Sequence, residues 1–350
     1  MLEAKKLVIN VVTWNSLAYM PDLLGSLGGQ DAPFFTVTVV DNASDDGAPA
    51  WLQEHFPETV VLRNIRNLGF ARAHNQAIEL ALSRWENKDL ENRYIMLANP
   101  DMTFSPNAVR VLVAHMDANP DVAACGPKLL RAYTKNEGEH EETTTDFSDT
   151  LDSTGLCITK ARRIYDRGAG EKDEGQYDGA IDVFGLSGAC VMFRASALVA
   201  AKIGGEFFDE DFFAYKEDAD LAWRLQRLGY KSHFVPQAVA WHFRRVPSNP
   251  GLGHFAAWKM RRSKSPFVNF LSTRNHGWMI LKNDSAANLF LHLPWWKTYE
   301  IGKVIAACFS LSSLKGEFAS LAGMPKMLRK RFAYSKRFTA NSADLRKWFK

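Results

Sequence analysis

Three acidic stretches and one histidine, each placed where an apolar run stops, carry the side chains of this 350-residue chain best suited to chemistry. Asp41 follows "TVTVV" and opens "DNASDDG". A carboxylate there can accept the ring N–H of a uracil or thymine, although the same residues are good turn formers. Asp101 ends "YIMLANPD". Pro100 before it forces a bend and has no N–H to continue a ladder. A carboxylate at such a bend suits Mg²⁺ or Mn²⁺, which usually bind one or two carboxylates plus substrate phosphates. The competing reading is a plain Asn-Pro-Asp turn before a helix starting near Ser105-Pro106. Glu217, Asp218 and Asp220 open the helical pattern "KEDADLAWRLQRLGY". The helix dipole favours acids there and keeps them ionised, as a general base requires. Asp220 and Arg224, four apart, also fit a simple surface pair. His242 closes the short run "VAWHF". Histidine is the commonest metal-binding side chain, and also a frequent satisfied core residue.

The chain contains neither GxxxxGK[ST] nor GxGxxG. A bound nucleotide diphosphate would therefore need a metal for neutralisation, which raises the weight of Asp101. Cys125, Cys157, Cys190 and Cys308 are scattered, with no zinc or disulfide spacing. Free thiols in a reducing compartment are expected. The N-terminal "MLEAKKLVINVVTW" turns polar too early for a signal peptide, and no window reaches the ~18 to 20 apolar residues of a membrane span. A cytoplasmic protein follows. A net charge of +4 is too small to make nucleic acid the main partner.

The elements that must position these residues alternate along the first hundred positions. "KLVINVVTW", "FFTVTVVDN", "ETVVLRN" and "RYIMLANPD" read as strands. "SLAYMPDLLGSLGGQ", "APAWLQEHF" and "FARAHNQAIELALSRW" read as helices between them. Alternation of this kind predicts an α/β fold with a mostly parallel sheet covered on both faces. Ligands of such sheets bind beyond the carboxyl ends of the strands, where Asp41 and Asp101 stand. The acidic segments between 131 and 181 read as a loop-rich insertion. Leu221, Leu225 and Leu228 share one face of the later helix, and a composition shift places a boundary near residue 246, dividing the chain into 1–245 and 246–350.

Taken in order, "VVTWNS", "VVDNASDDG", "NLGFARAHNQA", "LANPD", "GLSGACVMFR", "FFAYKEDADLAWRLQRLGY" and "VAWHF" resemble the motifs of inverting family 2 glycosyltransferases with the GT-A fold. The bacterial rhamnosyltransferase-type branch is the most similar, and the resemblance covers about residues 7 to 245. It implies a GT-A nucleotide-sugar-binding fold with a helical C-terminal extension. By the same resemblance, Asp41 contacts the nucleobase, with Thr13 and Asn15 lining its pocket. Asn67, Gly69 and Asn75 border the ribose and diphosphate. Asp101 holds the last position of a DxD-type metal motif, and Asn99 stands where the first carboxylate usually is. His242 is implied as a further metal ligand. Asp218 is implied as the catalytic base beside Glu217, with Asp220 as a helper or an acceptor contact, while Gly188 and Ala189 leave room for the acceptor sugar. Trp14 occupies a position where the family often has Tyr. The expected cofactor is Mg²⁺ or Mn²⁺, and the expected donor is a dTDP- or UDP-sugar, with dTDP-rhamnose the leading candidate. The expected acceptor is a glycan or a polyprenyl-linked glycan of cell-surface polysaccharide synthesis.

Two other classes compete. A non-catalytic nucleotide-sugar-binding scaffold would lack the metal or base carboxylate, and both are present. A sugar nucleotidyltransferase usually carries a Gly-rich loop with Arg and Lys, which "VVTWNSLAYM" lacks. Beyond residue 246, Trp, Phe and Leu mix with Lys and Arg. From Pro325 onward nine basic residues, including Lys326, Arg329, Lys330, Arg331, Lys336 and Arg337, face only Asp344 as an acid. Such a segment suits attachment to an anionic membrane at the inner face of the cell, or packing on the catalytic domain or on a second subunit of a homo-oligomer. The membrane reading is favoured.

Overall fold

The computed structural model describes residues 5–32, 35–137, 142–243 and 265–350. Its sheet grows outward from β1 (Leu7–Thr13), in which every residue but Val12 is buried. Leu7, Ile9 and Val11 enter one apolar cluster with α1 (Met20–Gly28) and α4 (Ala108–Ala118). Val8 points the other way, into a second cluster with α3 (Gly69–Arg84). A parallel strand covered on both faces needs no polar side, so "LVINVV" shows no alternation. β2 (Phe35–Asp41) and β4 (Tyr94–Ala98) flank β1 in parallel, and β3 (Val60–Arg63) pairs beyond β2. Between β2 and β3 lies α2 (Ala48–His55). The order β3-β2-β1-β4 reverses at β1. Connections after β1 and β4 therefore diverge and leave a crevice at the carboxyl edge.

Past β4 the sheet becomes mixed. β11 (Cys190–Arg194) runs antiparallel to β4 and to β6 (Val122–Glu137). β12 (Lys231–His242) is parallel to β6, and β10 (Asp182–Val183) closes the far edge. The short β5 (Met102–Phe104) turns back to pair with the end of β12, setting Met102 opposite His242. The stretch 131–181, expected to be loop-rich, departs from that reading. β7 (Glu142–Ser153) pairs along β6 from Leu129↔Ser153 to Glu137↔Glu142. β8 (Leu156–Ile158) and β9 (Ile164–Asp166) form a second small sheet. An antiparallel ribbon needs only backbone partners, so polar and acidic composition does not prevent it.

Six further α-helices follow among the described residues: α5 (Ala195–Ala200), α6 (Glu217–Arg227), α7 (Pro266–Asn283), α8 (Ala286–Leu291), α9 (Leu293–Cys308) and α10 (Leu311–Ser335). Leu221 and Leu225 of α6 are buried against the sheet, and Leu228 packs beside them. The opposite side of α6, through Ala219, Ala222 and Trp223, shares a third core with Trp278 and Met279 of α7, Met327 of α10 and Phe349. The helical region thus packs on the element that begins with the acidic triad. The boundary placed near 246 lies outside the described residues. Four of the nine basic residues beyond Pro325 are engaged by the rest of the chain, two of them by acids outside that segment. Lys326 pairs with Asp211, and Lys330 with Glu206, Asp209 and Asp211. Arg331 donates to the Leu281 carbonyl, and Arg337 to those of Ala200 and Lys202.

Candidate active site

At the carboxyl edge, Thr13 and Asp41 stand side by side in the β1–β2 register. Asp41 is buried and accepts the Ser44 N–H at 3.1 Å, with Arg63 Nε 3.7 Å away. Its carboxylate therefore does organise a turn, as the simpler reading held. Asn15 adopts φ +49°. It accepts the Asp45 N–H at 2.9 Å and donates its own N–H to Ser44 Oγ at 3.0 Å, lacing the β1 and β2 loops together. Thr13 Oγ1 is buried beside Asp41 without a hydrogen-bond partner. Asn67 accepts the Gly69 N–H at 2.8 Å. Gly69 has φ +81°, and a Cβ there would lie 2.5 Å from the Phe213 carbonyl, so the position requires glycine. Asn75 does not reach the crevice edge as the resemblance implied. Its amide accepts the Phe208 N–H and donates to the Phe208 carbonyl, both at 2.8 Å, which fastens α3 to the segment before the acidic triad. Asn42, absent from the sequence reading, is the hub instead. It donates to the Gly69 carbonyl and accepts from Asn64 Nδ2 and the Leu68 N–H. A lone Asn in a turn-forming run gives no signal of that role.

The Asn-Pro-Asp break does more than end a strand. The Asn99 N–H donates to the Ala189 carbonyl at 2.8 Å, and the Asp101 carbonyl accepts the Phe243 N–H at 2.9 Å. Asp101 Oδ1 lies 3.3 Å from His242 Nε2, while His242 Nδ1 lies 2.9 Å from Asp152 Oδ2. Burial alone would lower the His242 pKa, but its bonds to Asp101 and Asp152 outweigh that and raise it to about 9. Asp152 was hidden in the stretch read as loop, so nothing in the sequence tied it to His242. One oxygen donor and one imidazole nitrogen converge here, the imidazole fixed from behind by a carboxylate, as metal-ligating histidines usually are. The donor set fits a divalent cation that takes the place of the shared proton. Among the described residues, no group of three or more His, Cys, Asp or Glu side chains is placed to hold a metal by itself. Substrate phosphates and water would have to complete the coordination.

The position expected to hold the base is built from the start of α6. Asp218 Oδ2 accepts the Gly188 N–H at 3.1 Å, and Oδ1 accepts the Ala219 N–H at 2.7 Å. Burial raises its pKa, and the two N–H groups and Lys216 partly offset that. A Cβ on Gly188 would meet Asp218 Cβ at 3.3 Å, so glycine leaves the space in front of the base open. Ala189 is buried and contributes its backbone to Asn99. Glu217 is buried beside Asp218, and desolvation first, then the Asp218 charge, lift its pKa to about 8. At neutral pH Glu217 therefore holds its proton, so it adds no second charge beside Asp218. Asp220 is not an acceptor contact. It is fully buried, bound by Arg224 at 3.1 Å, Lys282 at 2.9 Å and Asn283 at 2.7 Å. Its spacing to Arg224 was legible, but its partners on α7 were not.

The segment leading into α6 is strained. Phe213, Tyr215 and Lys216 all have positive φ, between 64° and 76°. Asn275 of α7 holds it, with Nδ2 at 2.9, 3.0 and 2.8 Å from the carbonyls of Phe212, Ala214 and Tyr215. Arg274 adds donors to the Asp211 and Phe212 carbonyls. Lys282 and Lys330 bind Asp209 from two sides. Lys330 stood out only as part of the basic run, and Asn275, Arg274 and Lys282 not at all, because their partners lie about sixty to a hundred and twenty positions away.

The carboxyl edge thus carries a buried carboxylate beside a hydroxyl with no hydrogen-bond partner among the described residues, an Asp–His pair of metal-binding type, and Asp218 at the start of α6, tied to Asn99 through Gly188 and Ala189. That arrangement can bind a nucleoside diphosphate and deprotonate a hydroxyl. Comparison with known proteins agrees. The N-acetylglucosaminyl-diphospho-decaprenol L-rhamnosyltransferase of Mycobacterium tuberculosis is 28% identical over 280 residues, 78% of this chain and 86% of that protein. The rhamnosyltransferase WbbL of Escherichia coli is 25% identical over 238 residues, covering 67% and 82%. Among solved structures, GalNAc-T7 with UDP, GalNAc and Mn²⁺ matches with a TM-score of 0.56 at 11% identity. That match covers all of this chain and 59% of the other. Residues 1–349 of S. aureus TarS match with a TM-score of 0.51 at 16% identity, covering 98% and 91%. The glycosyl transferase family 2 model matches residues 8–199. The chain belongs to glycosyl transferase family 2 and is an inverting glycosyltransferase of GT-A fold that uses a nucleotide-sugar donor.

Proposed function

We propose that the chain transfers a deoxyhexose, with rhamnose from dTDP-rhamnose the leading case, to a hydroxyl of a lipid-linked or growing surface glycan. The observation that carries this reading is the placement of Asp218 and Asp101 at the two ends of one short backbone path, through Gly188, Ala189 and Asn99. The rhamnosyltransferase names of the two relatives support the sugar, and the decaprenol diphosphate in one of those names supports a lipid-linked acceptor. We place the reaction in the cytoplasm, at the inner face of the membrane.

In this reading Asp41 and the Thr13 hydroxyl receive the pyrimidine base, and the loops laced by Asn15 and Asn42 enclose the nucleoside. Asp101 and His242 would hold Mg²⁺ or Mn²⁺, which supplies charge neutralisation for the departing diphosphate. Asp152 keeps the His242 ring turned toward Asp101. Asp218 accepts the proton of the acceptor hydroxyl as that oxygen forms its bond to the anomeric carbon and the bond to the diphosphate oxygen breaks. Attack from the face opposite the leaving group gives inversion in one displacement. Protonated Glu217 leaves the negative charge on Asp218 alone.

The test is donor binding and turnover across dTDP- and UDP-sugars, with and without Mg²⁺ or Mn²⁺, in wild type, Asp101→Ala and Asp218→Asn. Metal-dependent binding lost in Asp101→Ala, together with binding kept but turnover lost in Asp218→Asn, is the expected pattern. Binding without turnover on any acceptor would leave a nucleotide-sugar-binding protein.

A further inference from the structure

We propose that the outer face of the α9–α10 hairpin seats on an anionic lipid surface. On α9 the exposed positions Leu293, Lys297, Ile301 and Ile305 recur at helical spacing. On α10 Leu311, Lys315, Phe318 and Leu321 do the same. The two stripes meet at the connector, where Phe309 is 77% exposed and Leu311 69%. Preceding α9, Phe290 is 81% exposed. An apolar surface of this extent marks a contact with something other than water.

The charges say what that is. From Ala286 to Ala343 the chain has only two acids, Glu300 and Glu317. Both turn inward onto buried Lys303, at 2.7 and 3.5 Å, and Glu300 also binds His276 at 3.0 Å. The outward charges are basic: Lys297 and Lys315 within the stripes, then Arg329 and Lys336 farther along. Apolar residues rimmed by lysine with every acid withdrawn complement a bilayer of anionic headgroups. A second copy fits less well, because twofold pairing would set lysines against a face that holds no carboxylate to meet them. Among the described residues no helix is long and apolar enough to cross a membrane, so the hairpin lies on the surface. The inference rests on this face alone and is independent of the acceptor proposed above.

The experiment sediments the full-length protein with vesicles of phosphatidylcholine alone, or of phosphatidylcholine and phosphatidylglycerol in equal parts. Ile305→Glu/Phe309→Glu and Lys297→Glu/Lys315→Glu are compared with wild type, since all four side chains are exposed and tolerate the change. The expected result is wild-type binding to the anionic vesicles, weaker by about tenfold or more on neutral vesicles and in each double variant. Hydrolysis of a water-soluble donor stays within about twofold of wild type, reporting an intact fold and separating this result from failure of the functional reading. No binding by wild type, or equal binding by the variants, overturns the proposal. Sedimentation velocity showing a dimer that Phe309→Glu splits would overturn it in favour of a second copy.

Discussion

Replacing Asn275 by alanine tests whether the helical region takes part in catalysis without touching substrate. Phe213, Tyr215 and Lys216 each hold a conformation that costs about 1–3 kcal/mol, so the segment stores about 3–9 kcal/mol that its surroundings must offset. The Asn275 amide serves three of its carbonyls, of which that of Phe212 has further donors in Arg274 and the Ala214 N–H. Its loss takes that donor from the part-buried Ala214 and Tyr215 carbonyls, at about 1 kcal/mol each, and removes the restraint on the strained turn. Asp218 follows Tyr215 by three residues, so relaxation moves the base. A displacement of about 1 Å at a reacting group costs about a hundredfold in rate. Asp101, His242 and Asp41 sit on other strands and stay in place. The variant should melt earlier, bind donor with metal as wild type does in calorimetry, and lose about a hundredfold in kcat. A kcat within threefold of wild type in a measurably destabilised variant would refute the reasoning, as would a parallel loss of donor affinity.

Glu217→Gln should stabilise the protein in a pH-dependent way. The folded value of about 8 exceeds the free value of 4.5, so the native chain keeps a proton that the denatured chain releases. Wild-type stability therefore falls as pH rises from about 4.5 to about 8, and the glutamine variant lacks that loss. The gap should reach about 3 kcal/mol at pH 7, at about 1.4 kcal/mol per pH unit; parallel denaturant curves at pH 5 and 7.5 would count against it. Asp152→Asn should weaken Mn²⁺ binding in the presence of nucleoside diphosphate by about 10- to 100-fold in calorimetry, since His242 loses its orienting partner. Lys282→Met uncovers Asp209 and Asp220, and should cost about 3 kcal/mol in chemical denaturation, the low end for a broken buried pair because Lys330 and Arg224 remain. Gly69→Ala forces a Cβ against the Phe213 carbonyl and should abolish turnover while the Asn275 variant retains some.

The parallel half of the sheet was legible because its strands and helices obey local periodicities, and β1, β2, α3 and α6 lie where "KLVINVVTW", "FFTVTVVDN", "FARAHNQAIELALSRW" and "KEDADLAWRLQRLGY" put them. The β6–β7 ribbon was not, because cross-strand pairing satisfied a backbone whose side chains suggested loop. Motif order led to Asp101, His242 and Asp218; the fold sets the first two 3.3 Å apart and ties Asp218 to Asn99 through Gly188 and Ala189. It misassigned Asp220 and Asn75, whose polar ends are consumed by partners distant in sequence. Asp152, Asn42 and Asn275 carry no local mark at all. A side chain that works by holding another segment is visible only once that segment has been placed.

The backbone path from Asp218 through Gly188 and Ala189 to Asn99 has an evolutionary corollary. In the proposed mechanism it yokes proton removal to departure of the leaving group, so insertions or deletions within "LSGAC" would detune both halves of the reaction together. The end proposed to take the nucleobase hangs on separate turns after β1 and β2, fastened to each other through Asn15 and Ser44. Changes of donor base can accumulate there while the reacting core keeps its spacing, so one catalytic geometry can be inherited across enzymes that differ in the nucleotide they accept.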